Sequence, residues 1–302
     1  MKAPFSRLPA RARLVLPAAA AAAALLLSGC GGTAAQSQSQ NAAAESSGAA
    51  KSAAPAADLY GHVHGISADP QSGRVLLATH NGLFEAGSGS AVPLSPVIDL
   101  MGFAAAGDGQ FFASGHPGPG SDLPEPVGLI RSSDGGRTWE QLSRQGESDF
   151  HALTATGSGV IGFDGELRTT EDLETWQTVD AGFHPHSLAG TPTSPVVLAT
   201  TEQGIHRSDD GGKTWSSPED GPVLLLTAFA DDSTVTGIAP DGLVYTSSDA
   251  GRSWQKAGNA SAPPEAMAAG IGEGGKLLVW VYTANGLEYS DDGGKTFAPH
   301  GT

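Results

Sequence analysis

Nine histidines are spread through a chain with one cysteine and three methionines, and four of them fall in two matching pairs, His62-x-His64 and His184-x-His186. Side chains on an extended strand alternate between faces, so residues two apart point the same way. Each pair therefore sets two imidazoles side by side, where they can share a metal ion or another polar ligand. Three more segments place a ligand-type side chain before a small residue: Met101 before Gly102, His151 before Ala152 and Met267 before Ala268. Two residues earlier stand Asp99, Asp149 and Glu265. Aligned on the small residue, the segments give one layer of His64, Met101, His151, His186, Leu226 and Met267. A second layer on the same face holds His62, Asp99, Asp149, His184, Leu224 and Glu265. Imidazole suits copper, zinc, iron and nickel, whereas thioether is soft and selects copper, above all Cu(I). Three histidines and two methionines without a thiol make copper the expected ion, with zinc as the alternative. The outer carboxylates can collect a cation or orient the imidazoles.

Such convergence needs equivalent strands from several repeats, and the chain repeats itself. Ser132, Asp134, Gly136, Thr138 and Trp139 recur as Ser208, Asp210, Gly212, Thr214 and Trp215. They return as Ser247, Asp249, Gly251, Ser253 and Trp254, and as Ser290, Asp292, Gly294, Thr296 and Phe297. Thr170, Asp172, Thr175 and Trp176 form a shortened copy. The Asp carboxylate can accept from backbone amides of a tight turn, Gly supplies positive φ, and Trp plugs the start of the next strand. Successive Asp residues are 38, 38, 39 and 43 apart, the length of one four-stranded blade. Asn81-Gly82-Leu83-Phe84 matches the third strand of a further blade whose box has decayed to Gly87-Ser88-Gly89.

These motifs resemble the Asp box, S-x-D-x-G-x-T-W, of sialidase-type BNR repeats, and the resemblance runs through most of residues 58–302. It implies an all-β propeller in which each box joins the third and fourth strands of a blade, with Asp134, Asp172, Asp210, Asp249 and Asp292 as structural residues. Six blades fit residues 58–302; seven, at about 35 residues each, are the tighter alternative. In a propeller the first strand of each blade lines the central channel, which is where the two aligned layers fall. His80 and His116 end second strands at the same mouth, while His206 and His300 lie elsewhere.

Lys2, Arg7, Arg11 and Arg13 precede a short apolar run, Leu14 to Leu27, which ends in Leu27-Ser28-Gly29-Cys30. This resembles the lipobox of bacterial lipoproteins, implying a signal peptide over 1–29 and acylation of Cys30. Residues 30–57 are rich in Ala, Ser and Gln and read as a disordered tether. The expected location is the outer face of the cytoplasmic membrane. Loss of 1–29 removes four cations and no acids, moving the formal net charge from −16 to −20. So acidic a domain is poorly suited to nucleic acid or anionic lipid.

Three functions remain open from sequence. The first is metal handling, with a metal-dependent oxidoreductase as its enzymatic form. The second is a glycoside hydrolase drawing on Asp99, Asp149 and Glu265, since that chemistry needs paired carboxylates. Sialidases of the resembled fold use an arginine cluster and a Tyr–Glu nucleophile pair. Here Arg131, Arg168 and Arg207 sit beside the boxes on third strands and the F/Y-R-I-P motif is absent, which disfavours a true sialidase. The third is a non-enzymatic module for a protein partner, with the Gly/Pro-rich loop Pro117 to Pro126 as contact or lid.

Overall fold

The computed structural model describes residues 60–87, 92–217 and 221–300. The signal segment 1–29, Cys30, the tether 30–57 and Ser88 and Gly89 of the decayed box lie outside the described residues. Six antiparallel sheets follow one another, each a meander of consecutive strands. Blade 1 comprises Val63–Ala68, Val75–Thr79 and Gly82–Glu85; blade 2 comprises Ile98–Gly107, Gln110–Pro117, Leu129–Ser132 and Glu140–Ser143. Blade 3 is Ala152–Thr156, Gly159–Phe163, Leu167–Thr170 and Gln177–Val179. Blade 4 is Ser187–Gly190, Val197–Thr201 and Gly204–Ser208, and its outer strand is reduced to a bridge between Arg207 and Ser216. Blade 5 is Leu226–Phe229, Val235–Ile238, Leu243–Ser247 and Gln255–Asn259; blade 6 is Pro264–Ile271, Leu277–Thr283, Gly286–Ser290 and Ala298–Pro299. Each blade's first strand packs on that of the next, and blade 6 packs on blade 1, closing a six-bladed propeller.

The core is divided among the six interfaces between blades. Leu76, Ala78 and Leu83 of blade 1 meet Ile98, Leu100 and Phe111 of blade 2. The same arrangement recurs around the ring, as where Ile161 and Leu167 of blade 3 meet Leu188 and Val197 of blade 4. The indoles follow it: Trp139, Trp176, Trp215 and Trp254 each pack against the interface with the preceding blade, half-buried rather than fully enclosed. The box glycine makes this approach possible. Gly212 takes φ +87°, and a Cβ there would lie 2.2 Å from Ile161 Cδ1 of the preceding blade. No larger residue fits without moving the neighbouring blade.

Each box is tied by its carboxylate. Asp134 Oδ1 accepts from the amides of Arg137 and Thr138, both at 3.0 Å, and Oδ2 accepts from the Thr138 hydroxyl at 2.7 Å. The shortened copy keeps the bonds, with Thr175 N 2.7 Å from Asp172 Oδ1, and Leu173 takes φ +67° where the full boxes use glycine. The Thr138 amide, with its hydroxyl, holds the Asp134 carboxyl down to about 2. Backbone amides likewise depress Asp172 and Asp292, those of Thr175 and Thr296 contributing most. A depressed acid stabilises the fold above its unfolded value of 3.8, and this contribution is lost as pH falls towards about 2. The urea midpoint should therefore drop between pH 4 and pH 2. Asp134→Asn should flatten part of that drop; an identical pH profile in the variant would show that the box carboxylate does not drive it.

Candidate metal centre

The first strands deliver their ligand-type residues at irregularities in the ladder. In blade 1, Val63 pairs with Thr79 and Gly65 with Ala78, leaving His64 as the extra residue of a β-bulge. In blade 2 the same shift leaves Met101 unpaired between Leu100 and Gly102. A bulge re-aims its side chain and bends the strand, and here it presents His64 and Met101 to the axis. His80 follows the second strand of blade 1 on a turn fixed by Thr79, whose hydroxyl donates to Gly82 O at 2.9 Å and accepts from the Asn81 amide at 3.0 Å.

His64 Nε2 and His80 Nε2 lie 3.2 Å apart, and His80 Nδ1 lies 2.7 Å from Asp99 Oδ1. Among the described residues, His64, His80 and Asp99 form a group whose ligand atoms all fall within 4.8 Å of one another. With Asp99 accepting from Nδ1–H, the His80 Nε2 lone pair faces His64. Two nitrogens 3.2 Å apart, each about 2.0–2.1 Å from a shared ion, subtend roughly 100°, close to tetrahedral. Burial, then the neighbouring His80, lowers the His64 pKa to about 4, so this imidazole is neutral at physiological pH, as ligation requires. His62 is exposed, with its ring edge-on to His80 at 5.6 Å between centroids.

Below this group opens a cavity of about 510 Å³ whose wall includes His64, Met101, His151, His186, Leu226 and Met267, with Glu265 beside them. No arginine or lysine among the described residues lines it. A smaller cavity of about 170 Å³ follows along the axis, lined from all six first strands by apolar, Gly, Ser and Thr residues only. Ile66, Phe103, Leu153 and Leu188 border both spaces and form an apolar collar between them. The histidines and carboxylates thus gather at one end of the channel.

The BNR/Asp-box repeat family matches residues 206–217. A sialidase from Bacteroides fragilis (strain YCH46) is 28% identical over 223 residues, covering 59% of this chain and 38% of its own length. The chain is a six-bladed propeller that carries BNR/Asp-box repeats, and it is similar to that sialidase. This propeller accordingly spans well under half of the curated relative that it matches. Among solved structures, an ancestral GH74 enzyme aligns with a TM-score of 0.49 at 16% identity, over 76% of this chain and 36% of that one. YCF48 from Cyanidioschyzon merolae aligns with a TM-score of 0.47 at 13% identity, over 76% and 95%.

Several residues of the BNR propeller sit differently from the sequence alignment. Met267 borders both cavities, as Ile66 and Phe103 do, and so stands level with the collar. The bulge of blade 6 falls at Glu265, between the pairs Pro264–Thr283 and Ala266–Tyr282, so Glu265 takes the place of His64 and Met101. Leu224 leaves the channel and is buried with Leu198, Ile205 and Val235. His184 is exposed against Phe163 and lines a separate hollow with Phe183. His186 lines the main cavity but is exposed. His116 lies directly across the strand pair from Asp99, and Asp149 is shared by His116 and His151. Arg131, Arg168 and Arg207 remain on third strands, and Arg207 is buried with Nη1 on Asp209.

Proposed function

We propose that this propeller binds a transition-metal ion at one mouth of its channel, copper foremost, and handles that ion as a lipoprotein outside the cytoplasmic membrane. The observation that carries the reading is the His64–His80 nitrogen pair at 3.2 Å, with Asp99 orienting His80. Two imidazoles backed by a carboxylate are a recurrent arrangement for late first-row ions, and the Met101 thioether on the same cavity wall favours copper among them. Titration of the metal-free protein with Cu(I), Cu(II) and Zn(II) tests it. Stoichiometric copper binding supports the reading, zinc preferred over both copper states removes copper alone, and no binding rejects it.

The sialidase relative favours a second reading, a glycosidase using channel carboxylates. Its chemistry fits less well. The cavity offers no cation for an anionic sugar. Tyr282, which feels the charge of Glu265, has its phenol pushed up to about 12 by burial first and Glu265 second, the reverse of an activated nucleophile. Asp99 and Asp149 are both engaged by histidines. Release of sugar from aryl glycosides by the metal-free protein would restore this reading.

Anchoring is proposed through an acylated Cys30, since the preceding residues have lipobox order. Cys30→Ser should move the protein from the membrane fraction to the soluble fraction with its thermal midpoint unchanged. Retention on membranes after a high-salt wash would assign the anchoring to residues 14–27 instead.

A further inference from the structure

Blades 2 and 3 hold a second group of donors that the first ion leaves unused. His116 Nε2 lies 3.1 Å, and His151 Nε2 3.3 Å, from the same oxygen of Asp149, Oδ2. Glu125, on the long loop after the second strand of blade 2, fixes His116 by its other nitrogen, with Oε1 2.5 Å from Nδ1. The loop is therefore tied to the channel mouth through a histidine. The remaining oxygen of Asp149, Oδ1, is buried without a hydrogen-bond partner. A buried acceptor left unpaired is costly, and a cation held by both oxygens of the carboxylate would relieve it.

The donors come from separate places in the fold. His116 ends the second strand of blade 2, and Asp149 and His151 lead into the first strand of blade 3. The two imidazoles approach one oxygen of Asp149 at 3.1 and 3.3 Å, but their nitrogens stand too far apart to share an ion until one of the rings moves. The His151 side chain is 60% exposed and so has room to swing onto an ion held by the other two.

We infer that His116, Asp149 and His151 form a second metal centre, so that the channel mouth holds two ions side by side. Two imidazoles and a carboxylate, without a thioether, suit a divalent ion of the zinc class. Asp99 and His116 are cross-strand partners, which makes the two centres immediate neighbours across one strand pair. The inference rests on the reading of this mouth as a metal site, and the two can fail separately.

The test is Zn(II) titration of the metal-stripped full-length protein in detergent, with bound ions counted by native mass spectrometry. Two zinc ions per chain are expected, falling to one in His151→Ala and in Asp149→Asn, while His80→Ala loses the other ion. Because His151 is exposed, its variant should keep the parent's unfolding midpoint, which separates lost binding from lost fold. One ion per chain that disappears in His80→Ala would overturn the second centre and leave the first standing. Two ions that persist in both His151→Ala and Asp149→Asn would also overturn it, and no bound zinc would overturn the second centre while the copper titration decides the first.

Discussion

Replacing His64 and His80 together with alanine is expected to abolish stoichiometric metal binding at the first centre, weakening affinity by at least ~100-fold. The scale follows from metal sites in which loss of a residue that merely orients a ligand costs about 10–100-fold; removing both nitrogens must cost more. Asp99→Asn supplies the intermediate step. Asn keeps the shape but replaces the charged acceptor that fixes the His80 tautomer, so affinity should fall by roughly 10–100-fold with the fold intact. The three proteins should rank parent, Asp99→Asn, then His64→Ala/His80→Ala in a single competition titration against a chelator. Loss of His64 should not unfold the domain, because its ring is only partly buried and lines the cavity rather than an interface between blades. If the double variant binds copper like the parent, the ion sits elsewhere.

The fold was legible because the Asp box repeats at blade length and each part of it has one physical task. The carboxylate ties the turn, the glycine lets blades approach, and the indole covers the seam. Blade 1 could be recognised only by Gly82-Leu83-Phe84, and among the described residues it has three strands, not four. The site was partly legible. Equivalence of the repeats places His64, Met101, His151 and His186 in one layer, and the four line one cavity from four blades. It could not reveal the bulges, since an inserted residue looks the same in sequence as a regular one. That is why Met267 was set one level too high and Glu265 one level too far out. Leu224 was misplaced because its apolar side chain is drawn into the core beneath Val235, ahead of where the strand begins. His80 is legible in sequence only as the end of a second strand at the mouth, since its distance to His64 depends on a turn across the sheet that alternation within one strand does not describe.

The second large effect concerns closure of the ring. Five interfaces join blades that follow each other in the chain, so their halves stay close even when packing loosens. The sixth joins blade 6 to blade 1, and among the described residues every sheet is built from consecutive strands, with none exchanged across this seam. Side-chain contacts must hold it, among them the Glu265 carboxylate accepting from Val63 N at 3.4 Å. Blade 1 has no box tryptophan to cover the seam, and the missing bulk comes from the other side. Trp280, on the second strand of blade 6, is 1% exposed and packs with Tyr60, Phe84 and Tyr282. Trp280→Ala should therefore cost roughly 3–5 kcal/mol, the range for a fully buried large aromatic, out of a total of about 5–15. Trp215→Ala, at a half-buried position on a seam that the chain itself links, should cost about 3 kcal/mol, at the low end of that range. Urea unfolding of both variants decides the matter. A midpoint lowered more by Trp280→Ala than by Trp215→Ala identifies the blade 6 to blade 1 seam as the place where the propeller is most easily opened. Equal or reversed losses would mean that the covalent links between the other blades add nothing to their cohesion.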